Sequence, residues 1–199
     1  MVGWWYWDPP REAFVIPYAQ HPVMWYGILF ALGFAIGYMI IGQLFRSVIS
    51  EEGRQQPRAV ASALTDRLAW YVVAGTLVGA RLGHVFFYGW RYYSRHPGDI
   101  VKIWEGGLAS HGAAVGILLA LGAFRWSIKK KFPALTFMVI LDCLVVAVAF
   151  AGFCIRLGNF VNQEILGTVT SVPWAVVFGR PADGSFSEPR HPVQLYEAF

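Results

Sequence analysis

Between Arg156 and Glu164 the chain gathers an arginine, two asparagines, a glutamine and a glutamate into nine residues, in the order Arg156-Leu-Gly-Asn159-Phe-Val-Asn162-Gln163-Glu164. The cluster follows directly on an apolar run long enough to cross a bilayer. Polar groups at a membrane boundary are costly to desolvate, so such a cluster points to a ligand or a partner. Arginine grips phosphate oxygens bidentately and stays protonated when partly buried. If the helix continues past Arg156, then Arg156 and Asn159 share a face at i,i+3 and can hold a phosphate with a neighbouring ester or hydroxyl. The chemistry this suggests is recognition of an anionic phospholipid. Two structural alternatives stand beside it. The asparagines can serve turn geometry in an interfacial loop, and Arg156 can pair with Asp142, Glu164 or Glu197.

Two further side chains invite a chemical reading. Arg81 lies inside an otherwise apolar run with His84. An arginine in a span faces the bundle or water and marks a functional site, or it snorkels to the interface, which lies ~10 Å away along a helix. His111 sits among small residues, Gly106-Gly107-Leu-Ala-Ser110-His111-Gly112-Ala113-Ala114, which leave room for a bulky substrate. Histidine accepts a proton near neutral pH, so His111 is either a general base or an imidazole hydrogen-bonded within the bundle. Ser110 is not its nucleophile, because adjacent helical residues do not face each other. The histidines lack ligand spacing and Cys143 and Cys154 are isolated, so no metal site is expected. Eleven helical residues separate those cysteines by about 16 Å, too far for a disulfide.

The elements that must position these groups are membrane helices. Of 199 residues, 56% are hydrophobic, 17% aromatic and 14% charged, against about a quarter charged in a soluble domain. The net charge of +4 reflects residues flanking the membrane, not a nucleic-acid surface. The expected fold is all-α, a polytopic transmembrane bundle forming a single membrane domain over residues 1–199. Its four spans are 23–45, 68–88, 106–124 and 134–155, with the start of a fifth at 191–199. Residues 1–22, with Trp4, Trp5, Tyr6 and Trp7, read as an interfacial segment and not a cleavable signal peptide. Residues 46–67 read as a polar loop with room for a short surface helix, and 156–190 as polar and turn-rich. The Arg125, Lys129, Lys130 and Lys131 cluster puts the N-terminus outside, although Arg46, Arg54, Arg58 and Arg67 on its side barely outweigh the other side's arginines and lysines. On that orientation Arg81, His84, His111 and Arg156 all fall in the outer half of the membrane.

Three ordered blocks resemble the prolipoprotein diacylglyceryl transferase family. They are Arg156-x-Gly-Asn159-Phe-x-Asn162-x-Glu164-x-x-Gly167 with Pro173-Trp174, then Gly106-Gly107-Leu-x-x-His111-Gly112, then His191-Pro-x-Gln194-Leu-Tyr-Glu197. Gly79-x-Arg81-Leu-Gly83 and Trp25-Tyr26-Gly27 add to them. The resemblance implies a bacterial inner-membrane enzyme with its site toward the outer leaflet. Such an enzyme moves diacylglyceryl from phosphatidylglycerol to the lipobox cysteine of a prolipoprotein, releases glycerol phosphate and uses no cofactor. It implies catalytic roles for His111 and Arg156. It also implies substrate-binding roles for Tyr26, Arg81, Asn159, Asn162, Glu164, Gly167, His191, Gln194 and Glu197. Ser110, Ala113-Ala114, Gln163, Leu166 and Thr168 depart from the usual pattern. The family usually has seven spans and a late functional arginine, so a fragment or a degenerate member is expected. Readings of other classes are a small transporter or channel lined by Arg81, Asp142 and Arg156, and a non-catalytic lipid-binding subunit.

Overall fold

The computed structural model describes every residue except Met1, Val2, Ala19 and Arg54; Arg54, one of the charges used to orient the chain, thus lies outside the described residues. Four helices are long and apolar enough to cross a membrane: α1 (Trp25–Glu51), α2 (Pro57–Phe87), α4 (Ser110–Ile128) and α5 (Phe137–Asn162). Short helices α3 (Trp90–Tyr93) and α6 (Val193–Ala198) come after α2 and the last strand. The four spanning helices expected from the apolar runs are present.

The polar stretch 46–67 is not the loop expected. Helix α1 runs on to Glu51, and α2 begins at Pro57, which suits a first turn because its missing N–H has no partner to lose. Ala61, Leu64, Thr65 and Leu68 are buried on one face, so packing extends α2 beyond its apolar run. Residues 156–190 and the N-terminal segment also hold strands that short runs of sequence do not announce. Strand β1 (Trp5–Trp7) pairs in parallel with β4 (Val176–Phe178), and β4 pairs antiparallel with β5 (Pro189–Arg190). Strands β2 (Glu12–Ile16) and β3 (His21–Met24) form an antiparallel ribbon leading into α1.

The chain divides into two compact units. The first comprises residues 1–39 and 146–199. Here Gly33 lets α1 approach α5: a Cβ at that position would stand 3.1 Å from Ala151 Cα. Phe160, Val176 and Phe178 form its core beneath Trp7, whose ring stacks on Phe160 at 4.7 Å and whose Nε1 donates to the Phe160 carbonyl at 3.0 Å.

The second unit comprises residues 40–145. Its centre is the contact of α2 with α4, where Gly75, Gly79 and Gly83 meet Gly112 and Gly116 backbone to backbone. Side chains there would hold the helices apart, and small residues at four-residue spacing permit the approach. Phe45, Leu121, Phe124, Ile128, Leu135 and Ile140 are buried around it.

Candidate functional site

In the first unit, α5 stays helical through Asn162, so Arg156, Asn159 and Asn162 recur every three residues on one face. The chain then leaves the helix through a strained turn. Gln163 has φ 58° and Ile165 has φ 53°, left-handed values that are uncommon for any side chain and a marked outlier for a β-branched one. The surroundings hold this turn in place. Gln163 is fully buried; its Nε2 donates to Asp8 Oδ1 at 3.0 Å and its Oε1 accepts from the Arg180 backbone N–H at 2.6 Å. Gln194, also fully buried, donates from Nε2 to the Glu164 carbonyl at 2.7 Å.

The purpose of the turn is visible in the groups that Glu164 reaches. One carboxylate oxygen accepts from Asn159 Nδ2 and the other from Asn162 Nδ2, both at 3.1 Å. A carboxylate only accepts, so both amides must turn their NH₂ groups to it. Their Oδ1 atoms are buried without partners among the described residues. Asn159 is 4% exposed, which makes its unpaired carbonyl oxygen a costly one to leave empty.

Arg156, Asn159, Tyr26 and Glu197 line a recess of about 620 Å³ whose other walls include Gly152 and Phe153. Arg156 Nη2 pairs with Glu197 Oε2 at 2.6 Å, the charge pairing weighed from sequence, and its guanidinium finds no other partner among the described residues. The recess is thus polar at one end and apolar along α5. Gly158 admits the Tyr26 ring, which would lie 2.8 Å from a Cβ there. Gly167 similarly admits the His191 backbone, and His191 Nδ1 lies 3.1 Å from the Tyr196 hydroxyl, which accepts from Trp174 Nε1 at 2.7 Å. Of the residues singled out, the first unit gathers Tyr26, Arg156, Asn159 and Glu197 around one recess. Asn162, Glu164 and Gln194 buttress it, and Gly167 and His191 pack behind the turn.

Asp8, absent from the residues singled out by sequence, completes this region. Arg180 Nε donates to its Oδ1 at 2.6 Å, and that contact above all holds the carboxyl below its usual range. No signal in the sequence ties Asp8 to Gln163, because the link spans 155 residues.

The second unit holds Arg81 and His111. His111, second residue of α4, is exposed; its ring stands edge-on to Phe87 at 4.9 Å and 5.7 Å from Tyr88. Its imidazole has no hydrogen-bond partner among the described residues, so a ring nitrogen is available to take a proton. It ends an apolar groove of about 900 Å³ that runs along the α2–α4 contact past Val115 and Leu119. Arg81 is 5% exposed and its donors are directed to main-chain carbonyls. Among the described residues no three histidine, cysteine or acidic side chains gather into a metal-binding group.

Four helices of membrane-crossing length, with polar side chains collected near their ends, define a polytopic helical membrane protein. The sequence profile of the prolipoprotein diacylglyceryl transferase family matches residues 13–199, and the chain belongs to that family of transferases. The phosphatidylglycerol–prolipoprotein diacylglyceryl transferase of Protochlamydia amoebophila is 39% identical, over 100% of this chain and 75% of its own. The enzyme of that name from Tolumonas auensis is 46% identical over 92% and 62%, and that of Chlamydia caviae 40% over 88% and 60%. The chain spans 60–75% of the length of these relatives.

Proposed function

We propose that this protein transfers the diacylglyceryl group of phosphatidylglycerol to the lipobox cysteine thiol of a prolipoprotein at the outer leaflet of a bacterial inner membrane. The observation that carries the reading is the recess on α5. It sets a guanidinium with a single carboxylate partner, and a buried unpaired amide oxygen, beside an apolar wall. A phospholipid has matching parts: an anionic phosphate, headgroup hydroxyls and acyl tails.

The chemistry rests on the residue types. The cysteine thiol must lose its proton to become a good nucleophile, and His111 takes it. The sulfur attacks the glyceryl carbon bearing the phosphate. The carbon–oxygen bond breaks, its electron pair leaves with the phosphate oxygen, and a thioether and glycerol phosphate result. Arg156 stabilises the charge on the departing phosphate. Asn159 and Asn162, turned by Glu164 to present carbonyl oxygens, accept from the glycerol hydroxyls.

The test uses purified chain in phosphatidylglycerol micelles with a lipobox peptide, reading peptide mass gain and glycerol phosphate release. Both should appear and both should vanish in Arg156→Ala. Solute flux through liposomes without lipid turnover would instead make the chain a transporter.

A further inference from the structure

A guanidinium carries five N–H donors, and five backbone carbonyls accept from Arg81. Nε donates to Ile100 at 2.7 Å, Nη1 to Gly106 at 2.6 Å and Gly107 at 3.1 Å, and Nη2 to Asp99 at 2.6 Å and Lys102 at 3.3 Å. The Tyr93 ring covers the group, its centroid 5.0 Å from Cζ. Nothing remains on this side chain to bind a phosphate. All five acceptors belong to one segment, residues 97–107, which holds two short 3₁₀ turns and leads directly to α4.

The segment is shaped for this contact. Gly106 and Gly107 have φ of 87° and 74°, and a Cβ on Gly107 would stand 2.7 Å from the His84 ring and 2.8 Å from Arg81 Nη1. Two residues on, the Ala109 N–H donates to the Ala80 carbonyl of α2 at 2.9 Å. His111 lies two residues further, against Phe87 and Tyr88 at the end of that same helix. Besides the packing of α4 on α2, the contacts described around His111 come from the end of α2 and from the segment that Arg81 gathers. We propose that Arg81 is a positioning residue that fixes residues 97–107 on α2 and so sets the place of His111, and that it does not bind the lipid phosphate. The kinetic part of this inference rests on the role given to His111 above; the structural part does not.

Lysine keeps the charge but offers three donors on a flexible stem, not five in a planar fork. Arg81→Lys and Arg81→Gln should therefore behave alike. In lipid nanodiscs, amide exchange of residues 97–109 should accelerate at least about tenfold in both, with residues 159–167 unchanged. In the transferase assay kcat should fall about tenfold while KM for phosphatidylglycerol stays within about twofold. Arg81→Lys with intact protection of 97–109 and a raised KM would overturn the inference and make Arg81 a lipid ligand. Should both variants fail to fold, Gly107→Ala presses on the same contact with the charge retained. Faster exchange confined to 97–109 supports the inference, and unchanged exchange there sinks it. A chain without turnover would refute the proposed function alone, because the exchange measurements still decide the part played by Arg81.

Discussion

Arg81 and Arg156 occupy equivalent places in their helices: each stands six residues before the last, Phe87 in α2 and Asn162 in α5. Their fates are opposite. Arg81 is 5% exposed with five carbonyls around it, whereas the Arg156 side chain is 30% exposed and meets one carboxylate. The difference lies in the segment that succeeds each helix. After α2 the chain wraps back over the arginine with paired glycines and offers it backbone. After α5 a strained turn carries Glu164 to the asparagines and leaves the guanidinium facing a recess. A charged side chain near a helix end is thus ambiguous until the path of the next segment is known.

The largest effect should separate the two regions by readout. Arg156→Ala should lower transferase rate by about 10²–10³. Its melting temperature should barely move, since a partly exposed ion pair of this kind contributes about 1 kcal/mol or less. Gly116→Leu should do the reverse in the other unit, costing about 3 kcal/mol or more as the α2 backbone is pushed away. Gly122→Leu, with open space around it, is the neutral control in the same thermal melts. Equal melting of the two leucine variants would break the comparison.

Smaller changes sharpen it at the α5 turn. Gln163→Ala strands the Arg180 backbone N–H and leaves the Asp8 carboxylate to the Arg180 side chain, and should cost about 2 kcal/mol in denaturant unfolding. Ile165→Gly should relieve left-handed strain and stabilise by about 1 kcal/mol. If it leaves the melt unchanged, the turn is not strained in the membrane-bound protein. The smallest effect is on pH dependence. The carboxyl of Asp8, lowered chiefly by Arg180, is a better acid folded than unfolded. Its contribution is present above the ordinary carboxylate range and is lost as pH falls through the folded value. Asp8→Asn should flatten that acid limb of a plot of melting temperature against pH.

Much of this was legible in sequence. The four apolar runs gave the spanning helices because length and lack of charge are what a bilayer demands. The helical continuation that aligns Arg156 with Asn159 was only a condition in that reading, which ended the span at 155 and took 156–190 as turn-rich; α5 runs on to Asn162. Arg81 shows where such reading stops. A buried arginine looks the same in sequence whether carbonyls or a ligand surround it, and only the course of residues 97–107 distinguishes them. The sheet was hidden for another reason: β1 and β4 are three residues each, too short for an alternating pattern, and their pairing crosses most of the chain. The left-handed values at Gln163 and Ile165 had no glycine to announce them.

The bond between Asp8 and Arg180 joins residues 172 positions apart. A ribosome adds about 5–20 residues per second, so Asp8 waits on the order of ten to thirty seconds for its partner to be made. Until residues 176–180 are made, β1 lacks β4 and the Gln163 amide lacks the Arg180 N–H. The nascent chain can therefore place its helices in the bilayer well before the α5 recess acquires a fixed shape. Completion of the recess is a later event still, because Glu197, which lines it and pairs with Arg156, is made after Arg180.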